Sequence, residues 1–118
     1  MGVRSAWFDD LELAVQPVSA SQARDFVRHH LMTRGLAHLI DDVTLVVSEL
    51  ATNAMVHAQT PCKVSLQAFE QTLLLKVEDG SRTVPVQVAS QVLDTSRAWG
   101  AKAHPDGGKT VWAEFDLP

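Results

Sequence analysis

Apolar residues fall into two rhythms along this chain. Leu11, Leu13 and Val15 alternate with polar residues or Ala14, a period of two that predicts a first strand, stopped by Pro17. Ser19 followed by Gln22 has the spacing of a capping box, and Ala23, Phe26, Val27, Leu31 and Arg34 then recur at helical spacing until Gly35. A second, mostly apolar helix is predicted from about His38 to Ala58, with Asp41 and Asp42 suited to its positive N-terminal end and Pro61 closing the connection. Val64, Leu66 and Ala68 alternate inward, Glu70-Gln71 turns, and Leu73, Leu75 and Val77 alternate back, which predicts a hairpin ending at Asp79-Gly80. A third, shorter helix is expected at about Ala89 to Ala98. A last hairpin is expected to fold through Pro105-Asp106-Gly107-Gly108 into Thr110 to Leu117. There is no repeat, linker or low-complexity segment.

Hairpins require antiparallel pairing, and the apolar helix stripes require a sheet face to cover. The order strand, two helices, hairpin, helix, hairpin therefore predicts a two-layer α+β sandwich with all helices on one side. At 118 residues and 46% hydrophobic content the chain can close one core and has no room for a second, so residues 1–118 are read as a single domain. The formal net charge is −4, and the ten Lys and Arg residues form no stripe, which argues against nucleic acid as a partner. Cys62 is the single cysteine and excludes an internal disulfide; Met1 to Asp10 has no apolar core like that of a signal peptide; no apolar run approaches membrane-spanning length. A cytoplasmic protein with no membrane association is expected. Met1-Gly2 does not open a myristoylation motif, because Ala6 stands where Ser or Thr is needed.

The candidate chemistry lies on the second helix. Glu49, Asn53 and His57 recur at i, i+4 and so share one face of an otherwise apolar run. A buried carboxylate costs several kcal/mol unless paired, so such a helix is suited to solvating a ligand, a metal ion or a reacting hydroxyl. Taken alone, Glu49 and Asn53 are better read as ordinary polar residues on a partly exposed face, since i, i+4 polar pairs are common. The layer order aims this face at the strand ending in Asp79, where two acids and an asparagine converge. Gly107-Gly108-Lys109-Thr110 is not a P-loop, because Ala103 replaces the glycine required five residues before Gly108 and the segment opens a strand. His29-His30 have no second pair of ligands, and Trp7, Trp99 and Trp112 are read as packing residues.

These residues carry a resemblance. Glu49-x-x-x-Asn53 within VVSELATNAMVHA, Asp79 in VEDGS, and GGKTVWAEF as the last strand resemble the histidine-kinase-like ATPase domains. ASQARDFVRHHL and RAWG extend the similarity over the whole chain toward small actinobacterial regulators similar to anti-sigma-factor serine/threonine kinases. The resemblance implies a mixed, largely antiparallel sheet with helices on one face, and ATP with Mg²⁺ as cofactors. It implies that Asn53 offers an oxygen to the magnesium and that Glu49 is the general base toward a serine hydroxyl or water. Asp79 is then the acceptor for the adenine amino group, supported by Thr110 and Ser81. His57 either reaches the phosphates or caps the helix end.

The chain also departs from that family. Its members carry a Gly-rich lid whose backbone NH groups hold the ATP phosphates. Here no glycine lies between Gly80 and Gly100, and Thr83-Val84-Pro85-Val86-Gln87-Val88 stands in place of the lid. The resemblance therefore implies one of two functions. The first is an ATP-binding regulator of the anti-sigma kinase type, degenerate in its lid and acting on a sigma factor or its antagonist protein, of the anti-anti-sigma type. The second is a non-catalytic binding module that has lost ATP binding. The Val-rich segment in place of the lid is expected to contribute a protein contact or a homodimer.

Overall fold

The computed structural model describes residues 6–81 and 95–117. Five strands and two helices follow in chain order: β1 (Trp7–Leu13), α1 (Ser19–Thr33), α2 (Ile40–Asn53), β2 (Cys62–Ala68), β3 (Thr72–Asp79), β4 (Ala98–Ala103) and β5 (Lys109–Asp116). The sheet order is β1-β2-β3-β5-β4, and all four pairings are antiparallel. The sheet is therefore antiparallel throughout the described strands, in keeping with the largely antiparallel sheet with helices on one face that was expected.

Alternation along the strands sorts the two faces. Val64, Val77 and Val111 stand in one register row, Leu66, Leu75 and Ala113 in the next, and Ala68, Leu73 and Phe115 in a third. All nine are buried against one face of each helix: Ala23, Val27 and Leu31 of α1, and Val43, Val46, Val47, Leu50 and Ala51 of α2. Every buried helical methylene group removes apolar surface from water at roughly 25 cal/mol per Å², and this two-layer core is where that burial concentrates. Between the helices, the Arg24 guanidinium donates to Ser48 Oγ at 3.0 Å. On the opposite face of the sheet Trp112 lies over Gly100, where a Cβ would stand 2.4 Å from the indole.

Several boundaries differ from expectation, each for a local reason. The first strand starts earlier, at Trp7, and ends at Leu13, so Val15 lies outside it and is exposed. The capping box does not form: Ser19 sits on the buried Ala23, Val27, Leu31 stripe, and its hydroxyl donates to the Ala14 carbonyl at 2.6 Å. Gly35, at φ +73°, does end the first helix, with Leu36 N–H bonded to Leu31 O and Gly35 N–H to Met32 O, the paired bonds of a Schellman motif. The second helix is not one continuous α-helix. A 3₁₀ turn (Ala37–Leu39) leads into α2, with Asp41 and Asp42 in its first turn, and a π-type turn (Ala54–Ala58) leaves it. Residues 89–94 of the expected third helix lie outside the described residues, as does the Thr83–Val88 segment; at the helix's expected end, Ala98 already begins β4. The last turn is a hairpin turn, with Gly107 and Gly108 at φ +94° and +87° and His104 N–H bonded to Gly108 O.

Candidate functional site

Glu49 and Asn53 lie one turn apart on α2, Glu49 half-buried and Asn53 buried at 4% exposure. Asn53 is the last α-helical residue. Beyond it Gln59 N–H reaches back to Ala54 O, and Gln59, at φ +55°, turns the chain out of the helix. The wider π-type turn is a form that recurs at functional sites. The backbone of His57 runs through this turn; its side chain lies outside the described set.

Thr60 joins this helix end to the end of β3, its Oγ1 accepting the Gly80 N–H at 3.0 Å. The sequence therefore brings the Asn53 end of α2 and the Asp79 end of β3 to the same end of the sandwich. The Asn53 Nδ2 is buried and meets no hydrogen-bond partner among the described residues. An unsatisfied buried amide costs about 1–3 kcal/mol, so a donor retained here fits a ligand acceptor such as a phosphate oxygen.

Asp79 is not open. Inward parity continues from Val77 to Asp79, from Val111 back to Lys109 and from Val64 back to Cys62, so these three share the register row that closes the helix-facing side of the sheet. Lys109 Nζ donates to Asp79 Oδ1 at 3.0 Å and Oδ2 at 2.8 Å, with the two side chains only 3% and 4% exposed. Ser81 N–H adds a third bond, to Oδ1 at 2.8 Å, which makes the expected strand-ending turn an Asx turn. Burial, and then the negative charge of Asp79, pushes the Cys62 thiol up to about 11. Cys62 is accordingly expected to stay unmodified by a thiol-disulfide reagent at pH 8 in native protein and to react at the rate of a free thiol in denaturant; fast native labelling would show the row to be open.

Thr110 is not where the site reading put it. It faces the other side of the sheet, because strand side chains alternate and Lys109 takes the inward position opposite Asp79. Its Oγ1 lies 2.7 Å from His104 Nε2 and donates to Glu78 Oε1 at 3.4 Å, and Glu78 in turn pairs with Lys63 at 3.6 Å. The expected approach of Thr110 to Asp79 is therefore not made. A recess of about 350 Å³ at this end of the sheet is lined by Glu12, Cys62, Lys63, Glu78, Asp79 and His104. An apolar groove of about 390 Å³, lined by Val15, Pro17, Ala20, Thr52, Met55 and Val56, lies beside the end of α2. Among the described residues no group of three or more His, Cys, Asp or Glu could hold a metal ion, and no helix is long and apolar enough to cross a membrane.

Helices thus cover one face of an antiparallel sheet, and an Asn and an Asp stand at one end of it. The profile of the histidine kinase-like ATPase domain matches residues 13–110, and the chain belongs to that family. Its fold is similar to that of the RsbU and RsbW domains of Rv1364c from Mycobacterium tuberculosis, with TM-score 0.73 and 20% identity, covering 93% of this chain and 33% of that one. This chain thus spans a third of that structure's length, and the likeness at this identity is one of fold. No curated protein matches this chain.

Proposed function

We propose that this chain is a regulatory ATP-binding domain of the anti-sigma-factor serine/threonine kinase type with a degenerate lid, acting in the cytoplasm on a sigma factor or its antagonist protein. The observation that supports it most is the buried, unpartnered Asn53 Nδ2 at the end of α2, in a family of ATPase domains. The carboxamide has the donor set for the role: Nδ2 for a phosphate oxygen, Oδ1 for magnesium, a hard cation that takes oxygen ligands and keeps several waters. Glu49, one turn back and half-buried, is assigned in this reading to take the proton of a partner's serine hydroxyl. Bound ATP supplies the phosphoryl group. Asp79 accepts from the adenine amino group, Ser81 holds that carboxylate through its N–H, and His57 is assigned to the phosphate end or the helix cap. Thr110 drops out of the adenine end, since it faces away. A sigma factor, an antagonist protein or a second copy of the chain is the partner, and the Thr83–Val88 segment is the assigned contact.

A non-catalytic binding module is the second reading, favoured by the Lys109–Asp79 pair and by the absence of glycine between Gly80 and Gly100. Titration calorimetry separates the two. Each lost backbone NH contact to a phosphate removes a hydrogen bond worth about 1.5–3 kcal/mol, so ATP with magnesium and adenosine are expected to bind weakly and with similar affinity. Sub-micromolar, magnesium-dependent ATP binding contradicts the degenerate lid. Heat from neither ligand at millimolar concentration hands the protein to the second reading.

A further inference from the structure

We infer that Lys109 is an internal competitor for the base-recognition carboxylate and sets the affinity of the nucleotide site; this rests on the reading of Asp79 given above. An ionised carboxylate offers about four lone-pair positions. Three are in use: Lys109 Nζ occupies one on each oxygen and Ser81 N–H a second on Oδ1. The remaining position, on Oδ2, belongs to a side chain 4% exposed, beside an ammonium 3% exposed. An adenine amino group therefore reaches Asp79 only when Lys109 gives way.

The residue type suits displacement. Lysine is a compact ammonium on a flexible four-carbon stem, strongly attracted back to water, where an arginine fork would hold both oxygens in a fixed plane. Lys109 is also the first residue of β5, next to Gly108 of the hairpin turn, and stands in register with Asp79 on one side and Ala103 on the other. Nucleotide binding and the Lys109–Asp79 contact are mutually exclusive. A purely structural ion pair has a different signature: its loss lowers stability and leaves ligand affinity unchanged or weaker.

Two variants and one measurement on the unmodified protein test this. K109M frees the carboxylate, and the D79N/K109M pair removes both charges while the carboxamide introduced on β3 keeps an acceptor oxygen. Calorimetry with adenosine is expected to show at least tenfold tighter binding by K109M than by the unmodified protein, and no such gain by D79N/K109M, which lacks the charged acceptor. In parallel, lysine acetylation read by mass spectrometry is expected to modify exposed Lys102 quickly and Lys109 slowly, with saturating adenosine raising the Lys109 rate at least tenfold. The proposal is overturned if the unmodified protein binds adenosine while folded K109M binds it no more tightly. It is also overturned if adenosine binds and Lys109 stays protected, a result available even where a variant does not fold. Adenosine binding by none of the three proteins overturns the nucleotide reading itself.

Discussion

Asp79→Ala is expected to cost about 3–5 kcal/mol of folding free energy, the range for stripping one partner from a buried ion pair. The site justifies the upper class of salt-bridge effects, because neither side chain is more than 4% exposed and solvent screening is slight. The truncation leaves the Lys109 ammonium buried at the end of β3 without the carboxylate that accepts its protons. Natural domains are stable by only about 5–15 kcal/mol, so such a loss approaches unfolding at 37 °C. D79N/K109M, which buries no net charge, is expected to retain most of the stability. Urea denaturation followed by tryptophan fluorescence compares them. A loss below about 1 kcal/mol for Asp79→Ala would place the pair in the weak, solvated class of ion pairs.

Gly108→Ala is expected to be the next most damaging change. Its φ of +87° is left-handed, a conformation that costs an L-residue about 1–2 kcal/mol, and an added Cβ would stand 2.7 Å from the Asp79 carbonyl oxygen. Overpacking of this kind adds about 1–3 kcal/mol. Gly35→Ala is the internal control: φ is +73°, and nothing lies within 4 Å of the added carbon. Chemical denaturation is expected to show Gly108→Ala losing clearly more than Gly35→Ala, and the difference reports the close approach of the last hairpin to the end of β3. Equal losses would mean that the hairpin moves aside freely.

The parts of the fold that were legible in the chain are those where one periodicity runs unbroken. The β2–β3 hairpin follows from Val64, Leu66, Ala68 and Leu73, Leu75, Val77, and the two helices follow from stripes at helical spacing. The π-type turn has no composition that separates it from more α-helix, because Ala54 to Ala58 contains neither glycine nor proline. Ser19 was legible and misread: it falls four residues before Ala23 on the same stripe, which places its hydroxyl inside rather than at a cap. The parity of β5 was also legible. Val111, Ala113 and Phe115 are the inward residues, so counting back two from Val111 gives Lys109 as the neighbour of Asp79 and turns Thr110 outward. A charged residue at an inward position runs against the apolar rule for cores, and its buried partner lies thirty residues away on another strand.

The most direct test of the nucleotide site is its location. Adenosine titrated into ¹⁵N-labelled protein, followed by amide NMR, is expected to move the signals of Asn53, Thr60, Asp79, Gly80 and Lys109, the residues that join the end of α2 to the ends of β3 and β5. No shifts at millimolar adenosine would contradict the site, as would shifts confined to the apolar groove at Val15, Ala20 and Val56 or to the far sheet face at Lys63, His104 and Thr110.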